Sequence, residues 1–180
     1  MSKKLNKELK EKIRIIPNFP KKGILFQDVT SITDDSKLFK KVIVELSNYV
    51  KKNKISKVAG IEARGFIFAS TVSYILNKPF VLLRKKNKLP SETHSVDFKL
   101  EYGESTIEVH KDSISKGEKI LVIDDLIATG GTAEAAAKLI EISGGIVAGF
   151  IFVINLFDLQ GNNLLKKKGY KSESLIEFPG

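Results

Sequence analysis

Residues 119–132 read KILVIDDLIATGGT. Ile120, Leu121, Val122 and Ile123 form a short apolar run rich in β-branched residues, the pattern of a buried strand. The strand is predicted to end at two adjacent carboxylates, Asp124 and Asp125, which open into Ala128-Thr129-Gly130-Gly131-Thr132. A helical pattern then runs from Ala133 to Ile142. Strand, acidic pair, Gly/Thr loop and helix, in that order, place a ligand site at the carboxyl end of a sheet strand. Glycines let backbone amides approach a ligand closely, and the helix amino end adds partial positive charge. Such a loop suits a phosphate. No Gly-Lys-Ser/Thr follows the glycines and no G-x-G-x-x-G is present, so neither the P-loop nor the dinucleotide pattern applies. A tight turn with two solvated aspartates is the simpler reading, but it leaves two neighbouring charges unbridged. The ribose of a sugar phosphate answers both halves: carboxylates accept from its hydroxyls and loop amides hold its phosphate.

The same arrangement recurs outward from this stretch. Lys57–Ile61 is a short strand ending in Glu62-Ala63-Arg64-Gly65, followed by an apolar helix from Phe66 to Leu76. Glu62 beside Arg64 is open to a plain ion-pair reading. Pro79–Leu83 is a third strand, leaving through Arg84-Lys85-Lys86-Asn87-Lys88, either a solvated turn or an anion clamp. Repeated strand ends of this kind predict one site shared across neighbouring strands. Residues 89–103, LPSETHSVDFKLEYG, have no continuous apolar run and read as a mobile loop or hairpin, the position of a lid. His94 lies there with no direct role assigned. Residues 106–110, TIEVH, alternate as a strand, and Ile146–Ile154 is a fully apolar strand, as when helices cover both sheet faces. At the amino end, Leu5, Leu9 and Ile13 mark an amphipathic helix. Residues 17–32, PNFPKKGILFQDVTSI, form a loop that is either core closure or the wall of an aromatic-ligand pocket. Asp34 or Asp35 caps a helix carrying Leu38, Val42, Leu46 and Val50. A short helix at 162–168 and a last strand at 174–178 complete a βα pattern. The expected fold is α/β, a mostly parallel sheet covered by helices.

A chain of 180 residues with 42% apolar content is about one domain by length. Without cysteine it has no disulfide framework, thiolate metal site or cysteine nucleophile. The amino end, MSKKLNKELKEK, lacks an apolar segment, and the run at 146–156 is too short to span a membrane, so a cytoplasmic protein is expected. The net charge of +9 comes from scattered lysines and three arginines, Arg14, Arg64 and Arg84. No recognition helix or aromatic-interleaved basic strand is evident, so neither nucleic acid nor membrane is an expected partner.

Val122 through Thr132 resembles the binding signature of type I phosphoribosyltransferases. IPNFPKKGILFQDVTSI, EARGF, LLRKKNKLPSET, LEYG and VINLFDLQG are similar, in the same order, to members of that family that act on adenine. The resemblance runs from about Ile13 to Gly180. It implies a type I phosphoribosyltransferase-like fold in a single domain, 1–180, with an amino-terminal helix and adenine-pocket loop at 1–33 and a flexible lid at 85–107. It implies transfer of the 5-phosphoribosyl group of 5-phosphoribosyl 1-pyrophosphate (PRPP) to N9 of adenine, giving AMP and pyrophosphate. Mg²⁺ would be held by PRPP, pyrophosphate and water rather than directly by protein. Asp124 and Asp125 would hold the ribose hydroxyls or their metal-bound neighbours, and Ala128, Thr129, Gly130, Gly131 and Thr132 the 5-phosphate. Arg64 would meet the pyrophosphate, next to a cis peptide at Glu62–Ala63, with Arg84, Lys85 and Lys88 helping to neutralise it. Leu25, Phe26 and Gln27 would line the adenine pocket, Phe26 stacking on the base. Glu101 and Tyr102 would belong to the lid, Glu101 acting on adenine or its departing proton. Gln27 departs from the family, whose members often carry arginine there; it matters only if the side chain reads the base or supports the loop. A 6-oxo purine substrate and a non-catalytic PRPP- or purine-binding regulator are the alternatives, and a homodimer is expected.

Overall fold

The computed structural model describes residues 3–99 and 103–180. Glu101 and Tyr102 lie outside the described residues. Helix α1 (Lys3–Lys12) leads into strands β1 (Arg14–Pro17) and β2 (Leu25–Asp28) and helices α2 (Thr30–Thr33) and α3 (Ser36–Lys52). Then follow β3 (Lys57–Ile61), α4 (Gly65–Ile75), β4 (Phe80–Lys85), β5 (Thr93–Lys99) and β6 (Glu104–His110). The chain continues as β7 (Lys119–Ile127), α5 (Gly131–Ile142), β8 (Ile146–Leu156), α6 (Gly161–Lys167) and β9 (Ser172–Phe178), with a 3-10 turn at Phe157–Leu159.

Seven strands make one sheet in the order β5-β6-β4-β3-β7-β8-β9. The pairs β3–β4, β3–β7, β7–β8 and β8–β9 are parallel, whereas β6 runs antiparallel to both β4 and β5. Alternation along β7 divides the core: Leu121 and Ile123 join Leu38 and Phe68 from α3 and α4, while Ile120 and Val122 join Leu139 and Phe150 on the α5 side. Burial on both faces explains why these strands read as unbroken apolar runs.

Four local outcomes refine the sequence reading. Strand β7 continues through the acidic pair to Ile127, because its ladder with β8 persists to the Leu126–Ile154 and Ile127–Asn155 pairs. Of the two cap candidates, Asp35 is the one used, its carboxylate accepting from the Lys37 and Leu38 amides at 3.0 Å each. Residues 89–103, expected as a mobile loop or hairpin, contain β5, paired with β6 and lying against α5; Val96 and Phe98 point to the core at period two. Within residues 17–32, Leu25–Asp28 pairs with Arg14–Pro17 as a two-stranded ribbon that proline-rich composition had hidden. Its turn holds a cis Phe19–Pro20 peptide and Gly23 at φ +93°, whose amide donates to the Asn18 side chain at 2.9 Å. No helix among the described residues is long and apolar enough to cross a membrane.

Phe68 is 0% exposed and its ring packs 5.9 Å from that of Phe39. Phe68→Ala is expected to cost about 3–5 kcal/mol of unfolding free energy, read from denaturant midpoints, by leaving a cavity between α4 and α3.

Candidate active site

The carboxyl ends of β3 and β7 and the amino ends of α4 and α5 surround a cleft of about 620 Å³. Asp124 and Asp125 stand in the second half of β7 and meet it side by side. Asp125, 5% exposed, accepts a hydrogen bond and ion pair from the Arg64 Nε, and its own amide donates to Asp124 Oδ1 at 2.9 Å. Burial and the charge of Asp125 push the Asp124 carboxyl well above the usual carboxylate range; the Asp125 amide and Arg64 offset this only in part. A second full negative charge on the pair is therefore disfavoured by the protein's own surroundings. Gly65, the first residue of α4, lies so close that a Cβ there would overlap Asp124 Oδ1.

Ala128 to Thr132 follow directly from β7 and wrap the cleft at the start of α5. Gly130 sits at φ +87°. Its opposite number is Gly161, whose amide donates to Ala128 O at 2.9 Å. A Cβ on Gly161 would overlap Ala128 O and stand 2.7 Å from the Gly130 nitrogen, and one on Gly130 would stand 2.9 Å from the Gly161 Cα. Two glycines packed back to back thus hold the amide loop in place.

Of the predicted site residues, Arg64, Lys85, Asp124, Asp125, Ala128, Thr129, Gly130, Gly131 and Thr132 share this cleft. Phe26 stands beside it, with the Arg64 guanidinium 5.6 Å above its ring, and Leu25 is 40% exposed on the same strand. Gln27 turns inward: it is 3% exposed and its Nε2 donates to Pro179 O at 3.0 Å. Arg84 and Lys88 do not line the cleft. Arg84 donates to Glu62 Oε2 at 3.1 Å and to Lys88 O at 3.0 Å. The Glu62 partner is thus Arg84 rather than Arg64, and the Lys85 amide donates to the same carboxylate at 3.0 Å. Burial works to raise the Glu62 carboxyl, but Arg84 and the Lys85 amide outweigh it and hold it below the usual range. The Glu62–Ala63 peptide is cis.

Three residues escaped the sequence reading. Leu159 lines the cleft although it lies a full strand away in the chain, and Gly161 and Gly65 exert their effect by lacking a side chain. An apolar residue between Asp158 and Gln160 just beyond a buried strand was the available signal for Leu159; for the glycines there was none beyond their position in EARGF and VINLFDLQG.

Comparison with known proteins gives one family. Residues 28–177 match the phosphoribosyl transferase domain. An adenine phosphoribosyltransferase of Pelagibacter ubique is 62% identical over 172 residues, covering 96% of this chain and 98% of its own. The crystal structure of adenine phosphoribosyltransferase from Thermoanaerobacter pseudethanolicus superposes with a TM-score of 0.91 at 45% identity, covering 96% of this chain and 99% of the other. That of the Saccharomyces cerevisiae enzyme, complexed with an imino-altritol bisphosphate and adenine, gives 0.87 at 35% identity, with 96% and 98% covered.

The raised Asp124 carboxyl has a consequence for stability. An unfolded aspartate titrates near about 3.9; a folded value above that means stability is complete at low pH and is lost as pH rises through the folded value. Asp124→Asn keeps an oxygen for the Asp125 amide and removes the charge. The variant, free of ligand, is expected to melt higher than the parent at pH 7, with the gap closing toward pH 4, in thermal scans across that range.

Proposed function

The chain belongs to the phosphoribosyltransferase family, and we propose that the cleft between β3 and β7 is where it joins a phosphoribosyl group to a purine. The reaction is transfer of the 5-phosphoribosyl group of PRPP to adenine, giving AMP and pyrophosphate, a step of purine salvage. What supports the site assignment above all is the meeting of an under-neutralised carboxylate pair with an amide loop in one cleft.

In this reading the amides of Ala128 to Thr132 and the amino end of α5 bind the 5-phosphate. Asp124 and Asp125 accept hydrogen bonds from the ribose hydroxyls. These two anchors hold the anomeric carbon while adenine N9 attacks one face and the bond to pyrophosphate oxygen breaks on the other. The sugar passes through an oxocarbenium-like state, which nearby carboxylates favour. Arg64 exchanges Asp125 for the pyrophosphate as PRPP binds, and Lys85 adds positive charge from the β4 end, so the charge growing on the leaving group meets cations already in place. Arg84 contributes by fixing Glu62 and the Lys88 carbonyl, which shape the loop after β3 and the turn after β4. Phe26 and Leu159 offer apolar faces to the base.

Mg²⁺ fits the donor chemistry, since Asp124 and Asp125 are hard oxygen donors whose mutual repulsion a cation relieves. Held through PRPP and water beside them, it would supply charge neutralisation for the pyrophosphate. In this reading the lid that excludes water lies within residues 85–107, Glu101 and Tyr102 among them, with Glu101 assisting proton loss from adenine. The working form is a homodimer, a reading supported by Ile67, Tyr74 and Ile75 exposed along one side of α4.

With PRPP and Mg²⁺, AMP and pyrophosphate are expected from adenine, and little turnover from hypoxanthine or guanine run in parallel; equal turnover of a 6-oxo purine would overturn the base assignment. Gly161→Ala should raise the KM for PRPP about tenfold or more by displacing the amide loop, with the adenine KM far less affected. Glu101→Gln is expected to lower kcat about a hundredfold while PRPP affinity, read by calorimetry, stays close to the parent value.

A further inference from the structure

We propose that Phe178–Gly180 is a strut joining the two walls of the base pocket, and that Gln27 and Asp158 are positioning residues acting through it. The inference rests on the base-pocket reading of Phe26 and Leu159. Side chains alternate along β2, so Phe26 lies under Arg64 while Gln27 enters the interior. There Gln27 Nε2 donates to the carbonyl of Pro179 at 3.0 Å. The next residue makes the second tie: the Gly180 amide donates to Asp158 Oδ1 at 2.7 Å, within the 3-10 turn Phe157–Leu159. Gly180 also packs directly on Leu159, since a Cβ there would stand 2.7 Å from the Leu159 Cγ. Consecutive residues therefore grip β2, which carries Phe26, and the turn that carries Leu159.

The walls need such a tie. The β1–β2 ribbon has two strands, and two strands alone are marginal in water. Three of its apolar side chains, Ile15, Phe19 and Leu25, are 40–49% exposed, and Phe19 spends its ring on Phe26 within the ribbon, 5.0 Å between centroids. The 157–159 turn has no buried residue, and Leu159 is 40% exposed. Neither wall is held by a large core of its own, so the spacing between Phe26 and Leu159 follows the residues that bridge them. The phosphate end of the cleft has its own tie, the packing of Gly161 on Gly130 and the Gly161 amide on Ala128 O at 2.9 Å, which does not pass through Pro179 or Gly180. Loosening the strut thus weakens binding of the base and leaves binding of the sugar phosphate in place.

Steady-state kinetics on the full chain test this with Gln27→Ala, Asp158→Ala, Gly180→Ala, the double variant Gln27→Ala/Asp158→Ala, and Asp158→Asn. Each single truncation and Gly180→Ala should raise the adenine KM about fivefold or more while the PRPP KM stays within about twofold. Asp158→Asn keeps an oxygen acceptor for the Gly180 amide and should recover most of the loss. The double variant should be less than additive, because both ties end on the same strut. Asp158 is exposed, so its truncation keeps the core intact should the Gln27 variant fail to fold. Equal rises in both KM values, or an unchanged adenine KM, would overturn the strut. A parent protein without adenine turnover would instead overturn the base-pocket reading on which it rests.

Discussion

Asp124 and Asp125 place two carboxylates next to each other near the end of a buried central strand, where water screens them poorly. Only Arg64 gives a full opposing charge among the contacts described around the pair, and it does so by pairing with Asp125. Asp124 is left with a raised proton affinity and a glycine, Gly65, against its carboxylate. Ionising both carboxylates is therefore costly in the protein's own surroundings, a cost that fits the proposed binding of hydroxyls and a cation-bearing substrate.

Close backbone approach is the second consequence. A loop that offers amides to a phosphate cannot also cover itself with side chains, so its support comes from behind. Gly161 supplies that support from the start of α6, with Gln160 at φ +63° turning the chain into position. The amide loop after β7 is backed by Gly161 after β8, the Asp124 carboxylate meets Gly65 after β3, and Glu62, also after β3, pairs with Arg84 of β4. A cleft assembled at one edge of a parallel sheet has this property generally: each strand end contributes a short segment, and the sheet registers them against one another.

The base side is held differently. Its walls come from a two-stranded ribbon before the sheet and a short turn after β8, neither of which belongs to the central ladder. Gln27 makes the contrast concrete. Its amide is used for internal support, donating to Pro179 O, so under the proposed reading Gln27 braces the pocket and base contact falls to Phe26.

Much of the fold was legible from the chain alone, because burial on both sheet faces writes unbroken apolar strands and helices with regular spacing. Strands β3, β4, β7, β8 and β9 and helices α3, α4 and α5 were all readable to within a few residues, and KILVIDDLIATGGT placed a Gly/Thr loop between a strand end and a helix. The antiparallel pairing of β5 and β6 and the β1–β2 ribbon were less legible, since half-buried and proline-flanked strands carry weak periodic signals. The partners of individual charges were not legible at all. Arg64 lies two residues from Glu62 yet pairs with Asp125, and Glu62 pairs with Arg84, because parallel strands set side by side residues that are far apart in sequence. By itself the sequence determined which segments become strands and helices and which residue types stand at the strand ends. Only the tertiary structure decided which of those residues touch, that Gly161 backs the amide loop, and that Gln27 faces Pro179, since these depend on distances between segments that local chemistry does not encode.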